Sequence, residues 1–142
     1  MRGVIQVKDH KGRLYNCARS SAVDQKTLLH LMGARITTGK ANLSAAGKSS
    51  DVLHDVGFIV SMLLRIPESE YERVEYLTNV RNVRPHGSTE PVDLKHFDGN
   101  MTGYYHIIAG LLRENLLDFF TWLSSDLNEE ESTPTKVKGK NK

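Results

Sequence analysis

One segment constrains what this chain can fold into more than any other. From His96 to Leu127, HFDGNMTGYYHIIAGLLRENLLDFFTWLSSDL returns apolar residues at helical spacing. At about 100° per residue, Tyr104, Ile108, Leu111, Leu112, Phe119, Trp122 and Leu123 line one side, opposite Glu114, Thr121, Ser124 and Ser125. A helix with so broad an apolar side is stable only when other elements cover it, so the rest of the chain must supply that cover. Asn115 stands within the apolar side. An unpaired amide in a core would cost about 1–3 kcal/mol, so its position predicts hydrogen bonds to backbone or a neighbouring helix and a defined helix pairing. Leu117 and Phe120 point away, toward the polar face or its border.

The cover is legible upstream. Ser21 precedes AVDQKTLLHLM and stands three residues before Asp24, a variant of the capping-box spacing, which predicts a first helix over Ala22–Met32 with Gly33 as its stop. SSDVLHDVGFIVSMLLR is the most apolar helical stretch, with Ser49 or Ser50 as cap, Asp51 in the first turn and Pro67 as terminator. Its core face is Val52, Leu53, Val56, Ile59, Val60, Leu63 and Leu64; Asp51, His54, Asp55, Ser61 and Arg65 share the other. Phe58 and Met62 fall among those polar residues, so this helix either has a second buried side or exposes an apolar pair. PESEYERVEYLTNVRNV predicts a third helix, with Ser69 to Glu72 as capping box and Tyr71, Val74 and Leu77 toward the core.

At the other end, VIQVKDHKGRLYNCA predicts two strands turning at Asp9–Gly12, with Val4, Ile5, Val7, Leu14 and Tyr15 as packing residues. A hairpin this small must lie on something. The expected fold is therefore mainly α: a small helical domain of about four helices with a short N-terminal β-hairpin. It occupies residues 1–127 as one domain, followed by a disordered charged tail, 128–142. A chain of 142 residues is long enough for such a domain to bury roughly 68–70% of its unfolded surface.

Between the first two helices lies GARITTGKANLSAAGKSS, Gly33 to Ser50, whose two glycine–lysine pairs resemble a phosphate loop. That loop needs G-x-x-x-x-G-K-[ST], a spacing that wraps backbone N–H groups round phosphates. Gly47-Lys48-Ser49 fits the end, but position 42 is Asn; Gly39-Lys40 lies six residues after Gly33 and is followed by Ala41. Neither frame matches. The stretch is expected to be a flexible, basic inter-helix loop over about 33–48.

Other chemistry is sparse. Cys17 is the single cysteine, expected as a small apolar strand residue. The 6 histidines include no H-E-x-x-H, and His54 beside Asp51 and Asp55 belongs to a solvated helix face. Glu68, Glu70, Glu72 and Glu75 belong to a helix start and its exposed side. No catalytic, cofactor-binding or metal-binding residue is expected. No segment approaches 18 uninterrupted apolar residues and the N-terminus carries charges at short intervals, so a soluble intracellular protein without a secretory signal is expected. Residues 1–60 hold nine basic and four acidic groups, and residues 61–128 six and ten. This dipolar distribution suits protein contacts better than a nucleic-acid footprint, which concentrates basic residues on one face.

Phe58, Met62, Leu117 and Phe120 are thus the candidate partner-binding residues, being apolar positions on otherwise polar helix faces; the alternative use for each is a second packing layer within the domain. HFDGNMTGYYHIIAGLLRENLLDFF, with Phe97-x-Gly99, a helix of about fifteen residues, then Asn115 and Phe119-Phe120, resembles the C-terminal part of tail assembly chaperones from long-tailed (lambda-type) bacteriophages. The charged hairpin leading to a Ser-capped helix, Ser21 to Met32, looks similar too. The resemblance implies a mostly helical, non-enzymatic protein of the host cytoplasm, absent from the mature virion. Such a protein binds the tape-measure protein, keeps it soluble and helps tail-tube subunits assemble round it. It also implies a longer form made by ribosomal frameshifting, for which the ending KVKGKNK would suit an A-rich slippery sequence. Self-association stays open, and neither nucleic acid nor membrane is an expected partner. The rival expectations are a head–tail connector or tail completion protein that persists in the particle, and a small DNA-binding regulator favoured by the basic first sixty residues.

Overall fold

The computed structural model describes residues 3–132. Two strands, β1 (Val4–Lys8) and β2 (Leu14–Ala18), pair antiparallel with Ile5 opposite Cys17 and Val7 opposite Tyr15. Alternation puts Ile5, Val7, Tyr15 and Cys17 on the buried face; Val4, expected to pack, is exposed because the period of two sends it outward. Their turn is organised by Asp9. Its buried carboxylate accepts the backbone N–H groups of Lys11 (2.9 Å) and Arg13 (2.8 Å) and pairs with the Arg13 guanidinium at 2.6 Å. Burial raises the pKa of this carboxyl, but the donors from Arg13 and Lys11 outweigh it and hold the pKa below the usual carboxylate value. A carboxyl depressed in the folded state stabilises above its unfolded pKa of about 3.9 and loses that contribution as pH falls through the folded value. Asp9→Asn is therefore expected to destabilise the protein by about 1–3 kcal/mol at pH 7. Its urea midpoint should also fall less than the parent's between pH 5 and pH 2; identical pH slopes in the two proteins would refute the assignment.

The helices are α1 (Ala22–Ala45), α2 (Val56–Leu63), α3 (Glu68–Thr78), α4 (Met101–Asn115) and α5 (Leu117–Ser132). The domain is mainly α with an antiparallel sheet, as its periodicities predict. A two-residue third strand, β3 (Arg84–Pro85), extends that sheet beside β2, an addition too short to register in the sequence pattern. Helix α4 is the centre of the molecule. Ile107, Ile108, Ala109, Leu111 and Leu112 are all buried, with β1 on one side and α2 and α3 on others.

Several expectations about helix boundaries give way. Helix α1 does not stop at Gly33. Its Ser21 cap is as expected, the hydroxyl accepting from Asp24 N–H at 3.2 Å, but the helix runs through Gly33 and Gly39 to Ala45, replacing most of the loop expected over 33–48. Leu28, Met32, Ile36 and Leu43 continue one buried stripe across that span, and this burial overrides a helix cost of about 1 kcal/mol per glycine. The true stop is Gly47, at φ 74°, which only glycine adopts readily. Lys48 N–H bonds Leu43 O at 2.8 Å and Gly47 N–H bonds Ser44 O at 3.0 Å, the paired hydrogen bonds of a Schellman cap. The glycine–lysine pair that mimicked a phosphate loop is thus a helix terminator, and Ser49 caps the next turn through Asp51 N–H at 3.1 Å.

The stretch from Ser50 to Leu64 is not one helix. A 3-10 turn covers Ser50–His54, Asp55 is extended at φ −75°, ψ 125°, and α2 begins afresh at Val56. The break rotates α2, so Met62 is buried, while Leu64, assigned to the core, is 62% exposed. The third helix also starts without the Ser69 capping box: Pro67 holds the N-cap position and no side chain caps it. At the C-terminal end Leu116 leaves helical geometry (φ −116°, ψ 25°) and separates α4 from α5, where one continuous helix was expected. Helix α5 continues past residue 127 to Ser132; the part of the expected disordered tail from 133 to 142 lies outside the described residues.

Candidate functional site

Helix α2 is only eight residues long and lies between α4, which it packs on, and the C-terminal half of α1. Its partner stretch on α1 offers Ala34, Thr38, Asn42 and Ala46 along one row, with Arg35, Gly39 and Leu43 along the next. The short side chains of Ala34, Thr38 and Ala46, with Gly39 beside them, do not fill the space before α2. An open cleft of about 540 Å3 results, bounded by α1, the Gly47 cap and α2.

Phe58 and Met62 form the α2 wall of this cleft. The Phe58 ring reaches across to Gly39, where its Cζ lies 3.0 Å from the position a Cβ would take, so a side chain at position 39 would press the ring back by a few tenths of an ångström. Phe58 is half-buried, and Met62, 7% exposed, shows the cleft only an edge. Three cations, Arg35, Lys48 and Arg65, stand round the rim, and no acidic side chain lines the cleft. Arg35 bonds Glu70 at 3.1 Å across to α3, a half-exposed pair that contributes little to stability. Among the described residues no carboxylate lies within ion-pair distance of Lys48 or Arg65.

The other two candidate residues go elsewhere. Phe120 is fully buried among the core residues, its ring 6.1 Å from that of His54, and is not a surface residue. The bend at Leu116 shifts the buried stripe by one residue, to Leu116, Phe120 and Leu123, and turns Trp122, assigned to the core, outward to 59% exposure. Leu117 is 40% exposed beside Trp122 in a shallow depression that also takes in Arg19 and Thr121. So the four candidates do not form one surface: two line the α1–α2 cleft, one lies on the α5 flank and one is core. A helical wheel places Trp122 in the core because it keeps constant phase through the bend. Asn115, the polar break in the apolar side, is the last residue of α4 and stands just before the bend.

Elsewhere the polar groups are used structurally. Cys17 is buried in β2 with Sγ 3.1 Å from Asn79 O; burial, offset in part by Arg84 and the Ala18 N–H, pushes its thiol up to about 11, which leaves almost no thiolate at neutral pH. The Tyr71 hydroxyl donates to Tyr104 at 2.8 Å, and Tyr104 donates to Glu75, which also pairs with Arg81 at 3.1 Å. Burial keeps both tyrosines well above their ordinary range, so they act as hydrogen-bond donors joining α3 to α4. His54 bonds the Ser124 hydroxyl at 3.1 Å, tying the 3-10 turn to α5. Among the described residues no group of three or more His, Cys, Asp and Glu side chains is placed to hold a metal ion, and no helix is long and apolar enough to cross a membrane.

Comparison with known proteins returns no match: no protein-family model, no curated protein and no solved structure matches this chain.

Proposed function

We propose that this chain is a tail assembly chaperone of the long-tailed bacteriophage type, a non-enzymatic protein that binds tape-measure protein and presents it to tail-tube subunits. The observation that carries the reading is the open cleft between α1 and α2, walled by the half-buried Phe58 and an edge of Met62. The pattern from Phe97 to Phe120 that resembles such chaperones adds the identity of the client. Reversible cover of apolar helical stretches needs a groove of this kind, bounded by rigid helices and open on one side. The chain then acts in the host cytoplasm and leaves before the particle is complete.

Co-expression with tape-measure protein tests this. Thr38→Trp, at an exposed position lining the cleft, should fill it, and Leu117→Glu should charge the α5 flank; both leave the core intact. The expected result is soluble tape-measure protein with the parent chain and aggregated protein with Thr38→Trp, at unchanged circular dichroism. Equal client solubility with and without the parent chain rejects the chaperone reading, and finding the chain in purified particles favours a head–tail connector instead.

A further inference from the structure

The cleft has a chemistry more specific than apolar. Its floor and walls come from Gly39, Phe58 and Met62, while its rim carries Arg35, Lys48 and Arg65 with no acid among the lining residues. Two of these three cations have no carboxylate partner among the described residues, and the third shares its own with solvent. Rim charges of one sign round an apolar seat select a ligand of opposite charge whose apolar side can be buried, chiefly by repelling like-charged rivals. The span from Ala34 on α1 to the cap residue Ala46 is about 18 Å at 1.5 Å per residue, matching some three turns of an incoming helix. The short side chains of Ala34, Thr38 and Ala46 let such a helix approach closely.

We infer that the α1–α2 cleft binds an amphipathic helix of about three turns, its apolar residues seated against Phe58 and Met62 and its flanking acidic residues paired with Arg35, Lys48 and Arg65. This deepens the chaperone reading and rests on it for the identity of the client, though not for the chemistry of the occupant. The client segments the protein covers are then acidic-flanked helices, and basic ones are rejected.

Two fluorescein-labelled synthetic helices test this against the full-length chain by anisotropy. They share one Leu/Phe apolar face and differ in the polar face, glutamate in one and lysine in the other. The acidic helix is expected to bind at least about ten-fold tighter at about 50 mM salt, with most of that preference gone near 1 M, where the screening length is about 3 Å. The double variant Lys48→Glu/Arg65→Glu should reverse the preference, and Thr38→Trp should abolish binding of both. Equal affinity of the two helices for the parent chain overturns the inference without reference to any variant's folding. So does undiminished binding by Thr38→Trp, tighter binding of single-stranded DNA than of the acidic helix, or a self-association in sedimentation that Thr38→Trp removes, since the occupant would then be a second copy. If the peptides are selected as expected but tape-measure protein is not kept soluble, the cleft chemistry stands and the client assignment falls. Soluble tape-measure protein without peptide selectivity gives the converse.

Discussion

Phe120→Ala is expected to cost about 3–5 kcal/mol of folding stability. For a chain of this length that corresponds to a fall of roughly 10–15 °C in Tm, or an equivalent shift of the urea midpoint at unchanged slope. The reason is position. Phe120 is fully buried on α5, facing the 3-10 turn that carries His54, and truncation leaves a cavity that the ring contacts with His54 and Phe119 cannot close. Read as a partner-binding residue on an uninterrupted helix, Phe120 would change stability by less than about 0.5 kcal/mol when truncated and would affect only client binding. Denaturation of this one variant therefore decides whether Phe120 belongs to the core or to a partner surface.

The second large effect belongs to Asn115. It sits where three segments meet: its Oδ1 accepts the Ser20 N–H at 2.9 Å, its Nδ2 donates to Leu111 O at 3.0 Å, and the Ser20 hydroxyl donates to Leu77 O at the end of α3. Beside it Arg19 bonds Glu114 O at 3.0 Å. Asn115→Leu keeps the branched outline but strands the buried Ser20 N–H, for an expected loss of about 1–3 kcal/mol despite the added apolar surface. Asn115→Asp separates the two hydrogen bonds. One carboxylate oxygen still accepts from Ser20, but the other faces the Leu111 carbonyl, so the folded-state pKa is raised. A carboxyl raised on folding is neutral and tolerated at low pH, and stability falls as pH rises above the unfolded value of about 3.9. Urea midpoints of Asn115→Asp should thus decline from pH 4 to pH 7 relative to the parent; a flat difference over that range would mean that Asn115 is solvated.

How far the sequence reached is clearest from pairs of residues. Ser21 and Asn115 were both legible, because a cap and a lone amide in an apolar stripe each have few physically acceptable surroundings. The hairpin was legible for the same reason: a period of two broken at Asp9–Gly12 has one economical closure. Gly33 and Gly47 were not distinguishable. Both are glycines following a helical stretch, and local propensity favours stopping at the first. What carries α1 past Gly33 is burial: Ile36 and Leu43 continue its buried stripe, and the helix packs on α3 and on the 3-10 turn, which a window round Gly33 does not contain.

The candidate site divides along the same line. Phe58 and Met62 were found because they are apolar where a wheel expects polarity, and they do meet in one cleft. Leu117 and Phe120 were found by the same rule and separated by a bend of one residue, which sends one to solvent and the other to the core. A helical wheel assumes constant phase, so a single departure at Asp55 or Leu116 rotates everything after it by about 100°.

Legible in the residues alone are the class of fold, the hairpin, the cap at Ser21, a serine cap at position 49 or 50 and the need to satisfy Asn115. All of these depend on residues within a turn or two of one another. Only the tertiary structure decided where α1 ends, where the two helix breaks fall and therefore which apolar side chains reach a surface. Those choices trade a glycine cost or a broken helical phase of about 1 kcal/mol against burial worth roughly 1.5–3 kcal/mol per large side chain, and that burial is set by partners distant in the chain.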